Sequence, residues 1–124
     1  MRRVGILTCG ADSPGQNAAI RAVARKAFDN NYEVIGINSG FNGLLNKDAF
    51  VMDKSTVSGI LQIGGTILGT SIGNPFLDEK NIKIAKDNFN DLSLTSLVII
   101  GGFSYMKIAE TLFENNITTI GIPA

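Results

Sequence analysis

The chain has 124 residues, enough for one domain with a core of its own. Eleven Lys and Arg balance eleven Asp and Glu, so no net field favours nucleic acid or an anionic membrane. The absence of His removes the commonest acid–base group near neutral pH, and a single cysteine, Cys9, excludes an internal disulfide and a thiolate metal cage.

In chain order, residues 3–8 (RVGILT) read as a buried strand. Residues 15–29 set Ile20, Val23, Ala24, Ala27 and Phe28 at helical spacing, with Asp12 or Ser13 as a candidate cap. Residues 33–37 (EVIGI) form a second strand, and 55–62 a short helix capped by Ser55. Residues 79–91 place Ile82, Ala85 and Phe89 on one helical face. Residues 96–102 (SLVIIGG) make the clearest strand. Residues 104–114 are a helix with Ile108, Ala109, Leu112 and Phe113 on one face, stopped by Asn115-Asn116. Residues 118–123 are the last strand. Arg2 and Arg3 read as a solvated end, and Cys9 as a small buried hydrophobe. This alternation predicts an α/β fold, a three-layer α/β/α Rossmann-like parallel sheet, in one domain over 1–124. No apolar run is long enough to cross a bilayer and no secretory signal is seen, so a soluble, cytoplasmic protein is expected.

Three glycine-bearing turns carry the functional signal: CGADSPG (9–15), GGTILGTSIGNP (64–75) and GGFSY (101–105). In a parallel sheet the first and third open at the same edge, where ligand crevices lie, and each leads into a helix start. Free N–H groups and the positive end of the helix dipole favour an anion there, phosphate being the usual one. One such turn alone is more often plain punctuation; several in one short domain favour a phosphate ligand. Gly10, Ala11, Asp12, Gly101, Gly102, Phe103 and Ser104 are the candidate contacts, while Gly64, Gly65 and Gly69 line a phosphate or merely turn the chain. There is no Gly-Lys-Ser/Thr loop and no G-x-G-x-x-G, and the second strand ends in Asn38-Ser39 without an acid for a ribose.

RVGILTCGADSPGQNAAIRAVARKA, GFNGLL, GGTILGT, VIIGGFSYM and IGIPA occur in an order and spacing that resembles the ATP-dependent 6-phosphofructokinases. The resemblance covers the whole chain and only the opening part of the longer family chain. It implies a nucleotide-binding domain for MgATP and fructose 6-phosphate, and the glycolytic transfer of the γ-phosphoryl group to the sugar 1-hydroxyl. It also implies an aromatic near the nucleotide at Phe41, equally readable as ordinary packing, and oligomers with sites shared between subunits.

Several positions depart from that pattern. The resemblance puts a glycine where Ala11 stands, a magnesium-holding aspartate at Phe103 and a phosphate-reaching arginine at Ile72. The family's T-I-D-N-D stretch, with the base that takes the sugar proton, lies beyond Ala124. The Ala11, Phe103 and IPA features are similar to the regulatory half of duplicated eukaryotic phosphofructokinases, which has lost catalysis and binds fructose 2,6-bisphosphate; the retained Asp12 departs from it. Phenylalanine cannot hold Mg²⁺, which takes hard oxygen ligands, so the magnesium site is in doubt, no catalytic residue and no metal ligand is assigned, and weak or no Mg²⁺-dependent ATP binding is expected.

Arg21 and Arg25 stand at i, i+4 on one helix face, a solvated basic face or a grip on one phosphate. The resemblance makes them, with Lys54, the effector site for ADP or phosphoenolpyruvate. Two readings stay open: the opening part of a phosphofructokinase, inactive alone, or a silent regulatory module acting through homo- or hetero-oligomeric contacts with phosphofructokinase-type subunits. A general Rossmann-like nucleotide domain with another chemistry is a third.

Overall fold

Strands form where apolar residues run without interruption. In the computed structural model, which describes residues 2–11, 15–60 and 65–124, β1 is Arg3–Thr8, β2 Glu33–Ile37, β4 Ser96–Gly101 and β5 Thr119–Pro123. The helices are α1 Gln16–Asp29, α2 Phe41–Asn46, α3 Lys54–Val57, α4 Glu79–Asp91 and α5 Phe103–Glu114. Two elements went unread in the sequence. One is α2, six residues with a glycine at its centre; the other is β3, Ala49–Met52. A short 3₁₀ turn, Pro75–Leu77, precedes α4.

The described sheet runs β3-β2-β1-β4-β5. β1, β2, β4 and β5 are parallel, with Val4 opposite both Val34 and Ser96. β3, a strand the sequence reading did not contain, pairs with β2 antiparallel, Ile35 opposite Val51, as an edge on the otherwise parallel sheet. The reason is local: a six-residue helix is too short to carry the chain back for a parallel crossover, which needs about a dozen residues.

Alternation along the central strands divides the core into two layers. Val4, Ile6, Val34, Val98 and Ile100 face Ile20 and Ala24 of α1, along with Val57 of α3. Leu7, Ile35, Ile37, Leu97 and Ile99 face Phe41, Phe89 and Leu112 on the other side. Each such fully buried aliphatic side chain stabilises the fold by about 2 kcal/mol over leaving it exposed. The three-layer expectation therefore holds.

Two helices end by the same device. Asn30 donates through Nδ2 to the Lys26 carbonyl and Asn115 to that of Thr111, both at 2.8 Å, and the following Asn31 and Asn116 take left-handed backbone. The proposed cap of α1 is corrected. Gly15 occupies that position with no side chain to offer, and Asp12 and Ser13 lie outside the described residues. The end of the predicted 55–62 helix lies partly outside them too; its described part stops at Val57. Arg3 is no solvated end either. It donates through Nη1 to the Leu92 carbonyl at 2.6 Å and faces Glu33 at 3.2 Å, while Arg2 reaches the Tyr32 hydroxyl at 3.1 Å. Among the described residues no helix is long and apolar enough to cross a membrane.

α1 links β1 to β2 on one face, and α5 links β4 to β5 on the other. The direction of winding therefore reverses between β1 and β4. Such a switch point opens a crevice at the carboxyl ends of its two strands.

Candidate functional site

The glycine turns converge on that crevice. Cys9 N–H donates to the Ile100 carbonyl at 2.9 Å, which holds the exit of β1 beside β4. A Cβ at Gly101 would stand 2.6 Å from Cys9 Sγ and 2.8 Å from its carbonyl oxygen, so only glycine allows this approach. Gly10 turns with φ +86°, against the ring of Tyr105.

The middle turn is pinned across both. Gly10 N–H donates to the Ser71 carbonyl at 2.8 Å, and Phe41 N–H to the Ser71 hydroxyl at 2.9 Å. The Thr8 hydroxyl donates to the Gly69 carbonyl at 2.6 Å and lies 2.9 Å from that of Thr66. Ser39 N–H donates to the Leu68 carbonyl at 2.8 Å, and Gly73 N–H to the Tyr105 hydroxyl at 3.2 Å. Thr8, Ser71 and Tyr105 thus tie the turns together, and sequence reasoning assigned none of them a role. The available signal was a hydroxyl at the end of each apolar or glycine run. Gly65 and Gly69 serve as turns with positive φ; Gly64 lies outside the described residues.

α5 begins at this rim. Its cap is Gly102, in extended backbone and with no side-chain cap, so Phe103 and Ser104 start the helix with their N–H groups at its positive end. Both are exposed, as is Ala11. A Cβ at Gly102, Gly73 or Gly15 would meet nothing within 4 Å, so the space beside the turns is open. Asp12 lies outside the described residues. Phe41 is fully buried, its ring 5.2 Å edge-on from Phe76 and 6.4 Å from Tyr105, beneath the turns. Burial pushes the Cys9 thiol up to about 12, which leaves it neutral and unreactive.

Two of the described rim residues, Phe103 and Ile72, offer magnesium no oxygen ligand. Phe103 is 83 % exposed and Ile72 81 % exposed, so apolar side chains project where the resemblance calls for a carboxylate and a guanidinium. Among the described residues no three His, Cys, Asp or Glu come close enough to hold a metal.

A second hollow, of about 340 Å³, lies between α1 and α3. Arg21, Arg25 and Lys54 all line it, with Phe28, Asp29 and Ser58. The two arginines sit one turn apart on α1, and Lys54 opens α3. The cap of α3 is Asp53, correcting Ser55. The Asp53 carboxylate accepts from the Ser55 hydroxyl at 2.6 Å and from Thr56 N–H at 2.9 Å, while Thr56 Oγ1 accepts from Asp53 N–H at 3.1 Å. The Ser55 hydroxyl first, then Thr56, hold that carboxyl below its ordinary pKa. The structure therefore brings the predicted cations together, apart from the glycine rim.

The profile of the phosphofructokinase family matches residues 3–124. The chain is 46% identical to the ATP-dependent 6-phosphofructokinase of Clostridium botulinum (strain Eklund 17B / Type B), over 99% of this chain and 38% of that one. It is 41% identical to the pyrophosphate–fructose 6-phosphate 1-phosphotransferase of Dictyoglomus thermophilum, over 98% of this chain and 35% of that one. Among solved structures, phosphofructokinase from Saccharomyces cerevisiae superposes with a TM-score of 0.88 at 26% identity, covering 99% of this chain and 20% of that one. The chain thus spans little more than a third of the curated relatives it matches.

Proposed function

The chain belongs to the phosphofructokinase family, and from that premise we propose that it is a phospholigand-binding domain of a glycolytic, cytoplasmic 6-phosphofructokinase-type protein, without phosphoryl transfer of its own. One observation carries the reading. At the rim where backbone N–H groups collect, Phe103 and Ile72 stand exposed in place of the groups that would hold magnesium and reach a phosphate. A nucleotide or sugar phosphate is seated here by the amides of the first and third turns, with Gly10, Ala11, Gly101, Gly102, Phe103 and Ser104 around it and Phe41 supporting them from below; Asp12, which the sequence adds to this set, lies outside the described residues. In the family, ATP arrives with Mg²⁺, which neutralises the charge developing on the transferred group. This chain's described residues bind and orient without that help.

The hollow between α1 and α3 is the effector cradle in this reading. Arg21, Arg25 and Lys54 set three cations around a space that fits a small phosphorylated anion, ADP or phosphoenolpyruvate. Replacing both Arg21 and Arg25 by Ala removes two of the three. Calorimetric affinity for ADP or phosphoenolpyruvate is expected to fall by at least about tenfold, with the thermal midpoint unchanged. Unchanged affinity would dismiss the assignment.

A second reading is catalysis. It is favoured by the 46% identity to an ATP-dependent 6-phosphofructokinase. A coupled assay with MgATP and fructose 6-phosphate separates the two. No turnover above blank is expected, and steady fructose 1,6-bisphosphate formation would establish the enzyme instead.

A further inference from the structure

A carboxylate stands beside the cations of the hollow between α1 and α3. Asp53 immediately precedes Lys54, and by charge alone it opposes any anion held by Arg21, Arg25 and Lys54. Its hydrogen bonds give it another task. Oδ1 alone accepts three of them, from the Ser55 hydroxyl at 2.6 Å, Thr56 N–H at 2.9 Å and the Thr56 hydroxyl at 3.0 Å. In the opposite direction Thr56 Oγ1 accepts from Asp53 N–H at 3.1 Å, which closes a capping box.

α3 has little else to hold it. It is a single turn, Lys54–Val57, and Ser, Thr and Val are indifferent helix formers. One turn is unfavourable by itself, because its residues lose their freedom for very few hydrogen bonds. The chain leaves it at once: Ser58 is extended and Gly59 takes φ +80°. The one buried side chain of α3 is Val57, in the core layer beneath α1.

That anchor lets the turn decide where Lys54 lies. Lys54, Val57 and Ser58 all line the hollow. They stand at i, i+3 and i+4, positions that share a face in a helix. In extended chain a separation of three puts two side chains on opposite faces. With Val57 fixed in the core, unwinding the turn would carry Lys54 off the hollow. Arg21 and Arg25 do not depend on it, since α1 is 14 residues long and rests on buried Ile20 and Ala24.

We propose, resting on the reading of this hollow as an effector cradle, that Asp53 is a positioning residue for it: the capping box with Thr56 holds Lys54 on the hollow. The carboxylate thereby strengthens the binding of a phosphorylated anion that its charge alone would repel. Coulomb repulsion and the cap thus act on affinity with opposite signs. Repulsion from a carboxylate in water is weak and screened by salt, whereas loss of the cap releases one of the three cations. The cap is therefore expected to win.

Two substitutions at the one position separate the two effects. Asp53→Asn and Asp53→Ala both remove the charge, but asparagine keeps an oxygen where Oδ1 accepts and caps a helix as well as aspartate, and alanine does not. Calorimetry with ADP and with phosphoenolpyruvate is expected to give Asp53→Asn an affinity equal to or above the wild type. Asp53→Ala should bind at least about fivefold more weakly than Asp53→Asn. In a Lys54→Ala background the same two variants should bind within about twofold of each other, which a general loosening of the fold would not produce. Thr56→Val keeps the carboxylate and removes the reciprocal bond; it should weaken binding too, and it decides the matter if Asp53→Ala fails to fold. Equal affinities for Asp53→Asn and Asp53→Ala, or a gap between them that persists without Lys54, would overturn the proposal and leave the cradle standing. A wild type that binds neither anion would overturn the cradle, and the proposal with it.

Discussion

Gly40→Ala is expected to cost about 3 kcal/mol of stability, enough to unfold a marginal domain of this size. Gly40 has φ +59° and ψ −134°, a conformation open in practice only to glycine. An added Cβ would stand 2.5 Å from Ser71 Oγ, 2.7 Å from Ser71 N and 2.8 Å from the Thr8 carbonyl oxygen. Two of those atoms are backbone and the third is the hydroxyl that accepts from Phe41 N–H, so relief requires the turns to separate. Gly59→Ala is the matched control. There φ is +80° but a Cβ would meet nothing within 4 Å, so only the conformational strain, about 1 kcal/mol, is lost. Urea titration reads both as a lowered midpoint at constant slope. Equal losses for the two variants would mean that the close meeting of β1, β2 and the middle turn does not hold the fold.

Phe103→Asp is expected to raise affinity for ATP in Mg²⁺ by at least about tenfold over the wild type, measured by calorimetry. The side chain is exposed, so the change empties no core position, and a carboxylate in the first turn of α5 complements the dipole by about 0.5 kcal/mol. The gain must vanish in EDTA. A gain that survives EDTA, or none in Mg²⁺, would show that residue 103 does not decide between a bare and a metal-borne phosphate.

Most of the fold was legible because the signals were strong and local. β1 and β4 are unbroken apolar runs, and their alternation between the two core layers follows from strand geometry alone. α4 matches its predicted bounds, where Asp78 caps the start by accepting from Lys80 N–H at 3.0 Å. α2 and β3 escaped because neither is long enough to show a period. Gly43 inside α2 argues against a helix, yet it is required: an added Cβ would run into the Asn38 carbonyl oxygen. With β3 went the antiparallel edge. The meeting of the first and third turns was readable from parallel topology, since β1 and β4 each end in a glycine-led turn. What escaped was the clamp: Thr8, Ser71 and Tyr105 lie far apart in sequence, and no spacing reports a bond that spans 61 residues, as that from Thr8 to Gly69 does. The meeting of Arg21 and Arg25 followed from helical geometry. Their meeting with Lys54 came from the resemblance, because α3 is placed against α1 only by tertiary packing.

The central claim is that main-chain amides at the β1 and β4 ends seat a phosphoryl group without magnesium. Amide spectra of the isotope-labelled chain titrated with ATP, once in EDTA and once in excess Mg²⁺, test it most directly. The account predicts shifts at Gly10, Gly102, Phe103 and Ser104 of like size in both titrations, with affinities equal within about twofold. Shifts that appear only with Mg²⁺, or that leave those amides untouched while ATP binds elsewhere, would contradict it.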